Sequence, residues 1–174
     1  FWVANNGANF TVLKEFSLLD SKFGTNSDGA QPRGGLVLAG GKLYGTTSAG
    51  GTGGSGVIFA MDTTGANYTV LHHFSPLDTE TAANADGAVP CGGLVVSNGV
   101  IYGTTLSGGA GGKGAVFAID TDGSDFLTLY SFSSSPADGA APAAGLSQSG
   151  NVFYGVTSAG GAGGTGTVFA LDPF

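Results

Sequence analysis

An internal repeat of about 58 residues limits the possible folds of this chain more than any other feature. Three equivalent glycines, Gly7, Gly65 and Gly123, are 58 residues apart. The last copy is six residues shorter, and the missing residues fall in the loop between Ser133 and Asp138. Self-similarity at a fixed period indicates a repeat architecture in which each copy forms one supersecondary unit.

Each copy has the pattern of four short strands. In the middle copy these are residues 94–97, 100–106, 115–120 and 126–133. The dipeptide Asn98-Gly99 predicts a tight hairpin between the first two, because both central residues of such a turn need positive φ. The third strand of every copy is apolar at nearly every position, which predicts a strand packed on both faces.

The chain begins and ends at different points of this four-strand cycle. It opens with a third and a fourth strand (1–4 and 9–17), continues through two complete copies (36–75 and 94–133) and closes with a first, second and third strand (146–149, 152–158 and 167–172). The pattern therefore predicts thirteen strands, one more than three four-stranded copies need. We divide the single repeat domain, 1–174, into units 1–56, 57–114 and 115–166 with a partial fourth unit, 167–174.

The repeated motifs resemble a known family. The recurrent G-L-V-x-x-x-G-x-x-Y-G-T-T-S-A-G-G, followed by G-x-V-F-A-x-D-x-x-G and T-V-L-x-x-F-S, is similar to the GloVer (choice-of-anchor) tandem repeat of bacterial surface proteins. The resemblance extends over essentially the whole chain. It implies an all-β, kelch-like β-propeller built from four-stranded antiparallel blades, an exported surface protein, and no defined enzymatic activity or catalytic residues to assign.

Three repeats are too few for a closed propeller, which typically has four to eight blades. We therefore expect the chain to bind copies of itself, since unpaired strand edges recruit further chains. One form is an open, head-to-tail filament in which strands of one chain complete a blade of the next; the other is a six-bladed ring of two chains. The surplus strand favours the open form. The candidate assembly residues are Phe1, Trp2, Val3, Phe10, Val168, Phe169, Leu171 and Phe174.

Charge and cysteine content exclude several other classes of protein. The net charge is −7 with only five basic residues, so the basic stripe of a nucleic-acid-binding protein cannot form. No apolar run approaches the eighteen or so residues that span a membrane. The single cysteine, Cys91, excludes an internal disulfide. Because the chain starts at Phe1 and its only methionine is Met61, we expect a removed leader or a fragment of a longer chain, and an extracellular or cell-surface location.

The long loops are the candidate binding elements. In an up-and-down blade, the glycine-rich loops and the loops between copies share one face, and long loops on a rigid scaffold commonly bind ligands. The interblade loops repeat Asp-Gly-Ala-x-Pro at Asp28, Asp86 and Asp138. These aspartates either bind Ca²⁺ or sugar hydroxyls, or accept backbone hydrogen bonds in a turn. The glycine-rich loops lack the helix and lysine of a phosphate-binding loop, so we expect no cofactor.

The remaining candidates carry weaker signals. His72 and His73 face opposite sides of one strand, and nothing near them has metal-ligand spacing. Cys91 is expected to be a free thiol or, alternatively, part of an interchain disulfide. Asn9 and Asn67 begin N-x-T glycosylation motifs at equivalent strand starts. We expect a non-enzymatic structural protein; the alternatives are a glycan- or protein-binding module that closes as a six-bladed homodimer and, least favoured, a glycosidase.

Overall fold

The computed structural model describes residues 10–135 and 137–173, which form fifteen short antiparallel strands and no helix. None of the sheets closes into a barrel. The all-β, antiparallel expectation is therefore confirmed. The predicted strand at 1–4 and the assembly candidates Phe1, Trp2, Val3 and Phe174 lie outside the described residues.

Three sheets follow one another along the chain. Sheet 1 contains β1 (Ala30–Pro32), β2 (Val37–Ala39), β3 (Lys42–Ala49), β4 (Val57–Asp62) and β5 (Thr69–His73). Sheet 2 contains β6 (Ala88–Pro90), β7 (Val95–Ser97), β8 (Val100–Ser107), β9 (Ala115–Asp120) and β10 (Leu127–Ser131). Sheet 3 contains β12 (Ser147–Ser149), β13 (Val152–Thr157) and β15 (Thr167–Leu171), and a separate short pair joins β11 (Gly139–Ala140) to β14 (Ala159–Gly160).

Sheets 1 and 2 share one topology. The strands β2-β3-β4-β5 form a meander in which each strand pairs with the next, and β7-β8-β9-β10 repeat it. Each sheet has a fifth strand, β1 or β6, which precedes the meander in the chain. It pairs with the far end of the long strand β3 or β8, with Ala30 opposite Ala49 and Ala88 opposite Ser107. The prediction of four strands per unit therefore missed this short strand. It forms because β3 and β8 have eight residues and β2 and β7 have only three.

The predicted strand at 9–17 is not a strand beyond Thr11 in the described residues. Residues 12–20 run without any regular pairing. The physical reason is that an extended segment becomes a strand only when a neighbouring backbone accepts and donates its hydrogen bonds. The three predicted third strands within the described residues, by contrast, lie where the pattern placed them, with Ala115–Asp120 matching the prediction residue for residue.

The hydrophobic core lies between consecutive sheets. We call the side of a sheet that faces the preceding one its front face and the opposite side its back face. The back face of sheet 1 consists of Tyr44, Ile58 and Ala60. Together with Phe74, it packs on the front face of sheet 2, which consists of Leu94, Ile101, Phe117 and Ile119. The back face of sheet 2 consists of Tyr102, Val116 and Ala118. Together with Phe132, it packs on the front face of sheet 3, which includes Leu146, Phe153, Phe169 and Leu171. The central strands β4 and β9 are thus buried on both faces, as their composition predicted, whereas β15 of sheet 3 is partly exposed.

A glycine in each long strand permits this packing. A Cβ at Gly103 would lie 2.5 Å from Phe117 Cζ and 2.8 Å from Leu94 Cδ2. Gly45 meets Phe59 and Leu36 in the same way in sheet 1. The repeated Tyr-Gly-Thr of the second strands is therefore a packing requirement, since only glycine leaves room for the aromatic ring of the neighbouring strand.

Candidate assembly surfaces and the repeated aspartates

Each aspartate of the Asp-Gly-Ala-x-Pro loops binds the backbone just after an outer strand, β5 or β10, or at the end of the equivalent segment 10–17. Asp28 accepts hydrogen bonds from the backbone N–H of Ser17 at 3.1 and 3.2 Å. Asp86 does the same for Ser75, and Asp138 for Ser133. Each carboxylate thus accepts hydrogen bonds from a nearby backbone N–H group. No group of three metal-ligating side chains occurs among the described residues.

A second contact completes each aspartate cluster, and its chemistry changes from copy to copy. Lys14 Nζ lies 2.5 Å from Asp28 Oδ2, His72 Nε2 lies 2.9 Å from Asp86 Oδ2, and the Tyr130 hydroxyl donates to Asp138 at 3.1 Å. These three partners occupy equivalent positions, two residues before a phenylalanine. A cation, an imidazole and a phenol thus perform one task, which is to hold the outer strand against the following loop.

The pKa values of these aspartates lie below the ordinary range. Burial raises the pKa of Asp86, but the hydrogen bonds from His72 and Ser75 outweigh that effect and lower it. The same balance lowers the pKa of Asp28, through Lys14 and Ser17, and of Asp138, through Ser133 and Tyr130. All three carboxylates are therefore ionised near neutral pH, and their charge is used internally.

An asparagine joins the two kinds of long loop. Asn26 Oδ1 accepts from the backbone N–H of Gly29 and of Gly51, and its Nδ2 donates to the carbonyls of Ser17 and Gly29. Asn84 repeats this arrangement in sheet 2, where it accepts from Gly109 N–H. The loops that precede sheets 1 and 2 and the glycine-rich loops within them therefore lie on the same side of each of these two sheets, as predicted.

The other sequence candidates lie apart from these clusters. His73 Nδ1 accepts from the Thr52 N–H, and burial together with the neighbouring His72 lowers its pKa. Cys91 is a free thiol of intermediate exposure, and burial raises its pKa despite the opposing influence of Arg33. Asn67 lies in an exposed turn and donates to Asp62, whereas Asn9 is outside the described residues.

The back face of sheet 3 differs sharply from its equivalents. Val168 is 80% exposed, whereas Ile58 and Val116 at the same position are 0% and 1% exposed. Tyr154 is 43% exposed, and the equivalent Tyr44 and Tyr102 are both buried. This contrast marks an apolar face that lacks, among the described residues, the sheet that covers the other two back faces.

The front face of sheet 1 is open in a complementary way. Leu36 is 48% exposed, whereas Leu94 and Leu146 at the same position are buried. Beside it, residues 10–17 cover part of this face, because Leu13 and Phe16 pack against Val57, Phe59 and Met61. A cavity of about 280 Å³ lies here, and a groove of about 370 Å³ runs along β15 at the other end.

The predicted assembly residues fall into two groups. Val168 and Phe10 are exposed, at opposite ends of the row of sheets. Phe169 and Leu171 instead turn toward sheet 2 and join its core. Leu36, Tyr154 and Val156 were not predicted, because their exposure depends on whether another sheet covers them, which the repeat pattern does not show.

Comparison with known proteins identifies a family for this chain. No curated protein matches the chain, and no helix among residues 10–135 and 137–173 is long and apolar enough to cross a membrane. The model of the Gloeobacter/Verrucomicrobia repeat matches residues 79–174, which is more than half of the chain. The match includes sheet 3 with its open back face and all of sheet 2. The chain therefore belongs to the Gloeobacter/Verrucomicrobia repeat family.

Proposed function

We propose that this chain is a non-enzymatic, extracellular structural protein that associates with copies of itself. Its three sheets act as kelch-like propeller blades, too few to close a ring alone. Copies then join head to tail, the open back face of sheet 3 covering the open front face of sheet 1 in the next copy. The product is a surface filament or a closed oligomer.

The exposure of Val168 carries this proposal. The same position is fully buried in the two sheets that have a following sheet, and burying a valine side chain stabilises a contact by about 1.5–3 kcal/mol. Tyr154, Val156 and Leu36 add further apolar area at the two ends. The contact between ends is heterologous, so it generates a filament when the rotation does not close and a ring when it does.

The absence of a nucleotide site or catalytic group in the sequence patterns supports a structural role. The repeated aspartates, which were the best candidates for a binding site, are engaged by strand ends. The low charge, the abundant glycine and the resemblance to surface proteins favour an extracellular location. Surface labelling of the producing bacterium would test the location separately from the assembly.

Light scattering of the purified chain tests the assembly directly. We expect oligomers at micromolar concentration, and we expect Val168→Asp to weaken association at least tenfold. Leu127→Asp is the matched control, because Leu127 is also exposed but lies on sheet 2, away from both ends. A wild-type chain that remains monomeric would overturn the proposal.

Negative-stain microscopy separates the two forms of assembly. Fibres support the open, head-to-tail arrangement, whereas compact discs support a six-bladed ring of two chains. Both forms use the same contact, so Val168→Asp should disrupt either one. Intact discs or fibres formed by this variant would contradict the proposed contact.

A further inference from the structure

A repeated backbone hydrogen bond joins each sheet to the sheet that follows it. The Val89 N–H in β6 donates at 2.9 Å to the carbonyl of Ser55, which lies in the glycine-rich loop of sheet 1. The Ala141 N–H, directly after β11, donates at 2.9 Å to the carbonyl of Lys113 in the glycine-rich loop of sheet 2. Two junctions with different side chains thus share one bond between equivalent backbone groups. The bond is therefore a property of the repeat rather than of either junction.

The donor at each junction has an uncommon backbone conformation. Val89 has a φ of 57°, and Ala141 has a φ of 54°. Residues other than glycine rarely adopt positive φ, and a β-branched residue does so only where its surroundings hold it. In this conformation the N–H bonds to the loop of the preceding sheet instead of to its own sheet. The positive φ thus belongs to the contact between sheets.

Gln31 has the same conformation at the front of sheet 1. Its φ is 56°, and its neighbours pair with β3 as the equivalent residues of sheet 2 pair with β8. The described residues contain no glycine-rich loop before sheet 1, so the Gln31 N–H lacks the acceptor that the other two junctions provide. Gln31 is also exposed. The donor of a junction is therefore preformed at this end.

The matching acceptor is preformed at the other end of the row of sheets. Thr165 occupies the position of Ser55 in the glycine-rich loop of sheet 3. It forms a bridge with Gly160 as Ser55 does with Gly50, and the Gly166 N–H donates to the Gly160 carbonyl at 3.0 Å, the distance of the equivalent bond in sheet 1. The described residues contain no sheet after sheet 3, so the Thr165 carbonyl lacks the equivalent donor.

A proline contact beside this bond shows the same difference between junctions and ends. The Pro90 ring is fully buried close to Gly56, where a Cβ would lie 2.8 Å from the ring's Cδ. The proline before sheet 3 repeats this contact with the equivalent glycine of sheet 2. Pro32, before sheet 1, is exposed, and the nearest atoms to Gly166 belong to the adjoining backbone of sheet 3. Each end thus presents one half of the contact.

We propose that the Gln31 N–H of a second copy donates to the Thr165 carbonyl of the first, and that its Pro32 ring packs against Gly166. This inference rests on the proposed self-association and specifies the backbone contact by which two ends recognise each other. Both groups already have the conformation that the bond requires, and such preorganisation favours binding. At the two internal junctions, this bond accompanies the packing of one sheet's back face on the next sheet's front face.

Hydrogen exchange with residue-level resolution tests the bond itself. In a sample that is oligomeric by light scattering, the Gln31 amide should exchange at least about tenfold more slowly than in a sample diluted until it is monomeric. The Val89 and Ala141 amides are the internal controls, because their bonds lie within one chain and persist at both concentrations. A Gln31 amide that exchanges at one rate in both samples would overturn the contact and leave self-association intact.

Cysteine cross-linking tests which residues meet. In a Cys91→Ser background, a chain with Gln31→Cys is mixed under mild oxidation with a chain that carries Thr165→Cys. We expect a disulfide-linked dimer on non-reducing electrophoresis. The matched control is a single chain with Lys113→Cys and Ala141→Cys, which should close an internal disulfide because the same bond joins these two positions.

A second control measures random collision. Gln31→Cys mixed with Leu127→Cys should give no dimer, because Leu127 is exposed on sheet 2, away from both ends. Equal dimer from this pair, or no dimer with Thr165→Cys while the internal pair closes, would overturn the proposed contact. Where the internal pair does not close, the exchange rate of the Gln31 amide decides. A wild-type chain that is monomeric by light scattering would overturn the proposed function as well.

Discussion

At the scale of single residues, a carboxylate holds the end of each outer strand. Asp86 is buried, yet it stays ionised because Ser75 and His72 donate to it. His72 also stacks on Phe126 of sheet 2, with ring centroids 3.9 Å apart. Lys14 takes the same position over Tyr68, with its Nζ 4.8 Å from the ring centroid. The side chain at this repeated position, His72 or Lys14, thus contacts both the aspartate and an aromatic ring of the following sheet.

Replacing Asp86 should destabilise the chain. Asp86→Ala leaves the Ser75 N–H and the His72 ring without their acceptor, and an unpaired buried donor costs about 1–3 kcal/mol. Urea denaturation should show this loss in the free energy of unfolding. Glu80→Ala is the control, because it removes one negative charge from an exposed loop position and should change stability by about 0.5 kcal/mol or less.

Substituting Gly103 should also destabilise the chain, for a steric reason. The Cβ of Gly103→Ala would clash with the Phe117 ring and with Leu94, and overpacking of a core costs about 1–3 kcal/mol. Gly93→Ala provides the comparison, since a Cβ there meets nothing within 4 Å. Equal melting temperatures for the two variants would show that the close approach of Gly103 to Phe117 does not limit the core.

At the scale of strands, the local pattern and the neighbouring backbone have separate effects. The third strands are apolar throughout, and they lie where the sequence predicted them. Residues 10–17 have an equally good strand pattern, yet beyond Thr11 they form no regular pairing. Side-chain pattern sets which segments can extend, but a strand exists only where another strand supplies its hydrogen bonds.

Hydrogen exchange should reveal the unpaired edge of sheet 3. In dilute solution, the amides of β15 should exchange faster than those of β4 and β9, because within the described residues β15 pairs with β13 alone, whereas β4 and β9 each pair with two strands. Raising the protein concentration should slow exchange in β15, if copies associate through sheet 3. Protection of β15 that is equal to that of β9 at every concentration would contradict this expectation.

At the scale of the molecule, the carboxylates connect one sheet to the next. Asp86 and Asp138 lie at the two junctions between sheets, and Asp28 takes the equivalent position between residues 10–17 and sheet 1. Their lowered pKa values mean that the unfolded chain binds more protons than the folded chain as the solution is acidified. Acid should therefore weaken the junctions together.

The sign of this pH dependence is definite. The stabilising contribution is complete above the ordinary aspartate pKa of about 4 and is lost as the pH falls through the lower, folded-state values. The free energy of unfolding, measured in urea between pH 7 and pH 2, should drop mainly below about pH 4. Asp86→Ala should lose less over that range than the wild type, whereas a loss centred near pH 6 would implicate histidine instead.

Local pattern alone was enough for the all-β class, the repeat, the family and the positions of the central strands. These depend on residue periodicity and turn chemistry, which act over a few neighbouring residues. The short strands β1 and β6, the irregular path of residues 12–20 and the inward packing of Phe169 depend on which backbones and faces meet. So does the exposure of Val168, since its sequence position is the same as that of the buried Ile58. Burial is a property of the neighbour that covers a residue, and only the assembled sheets decide whether that neighbour is present.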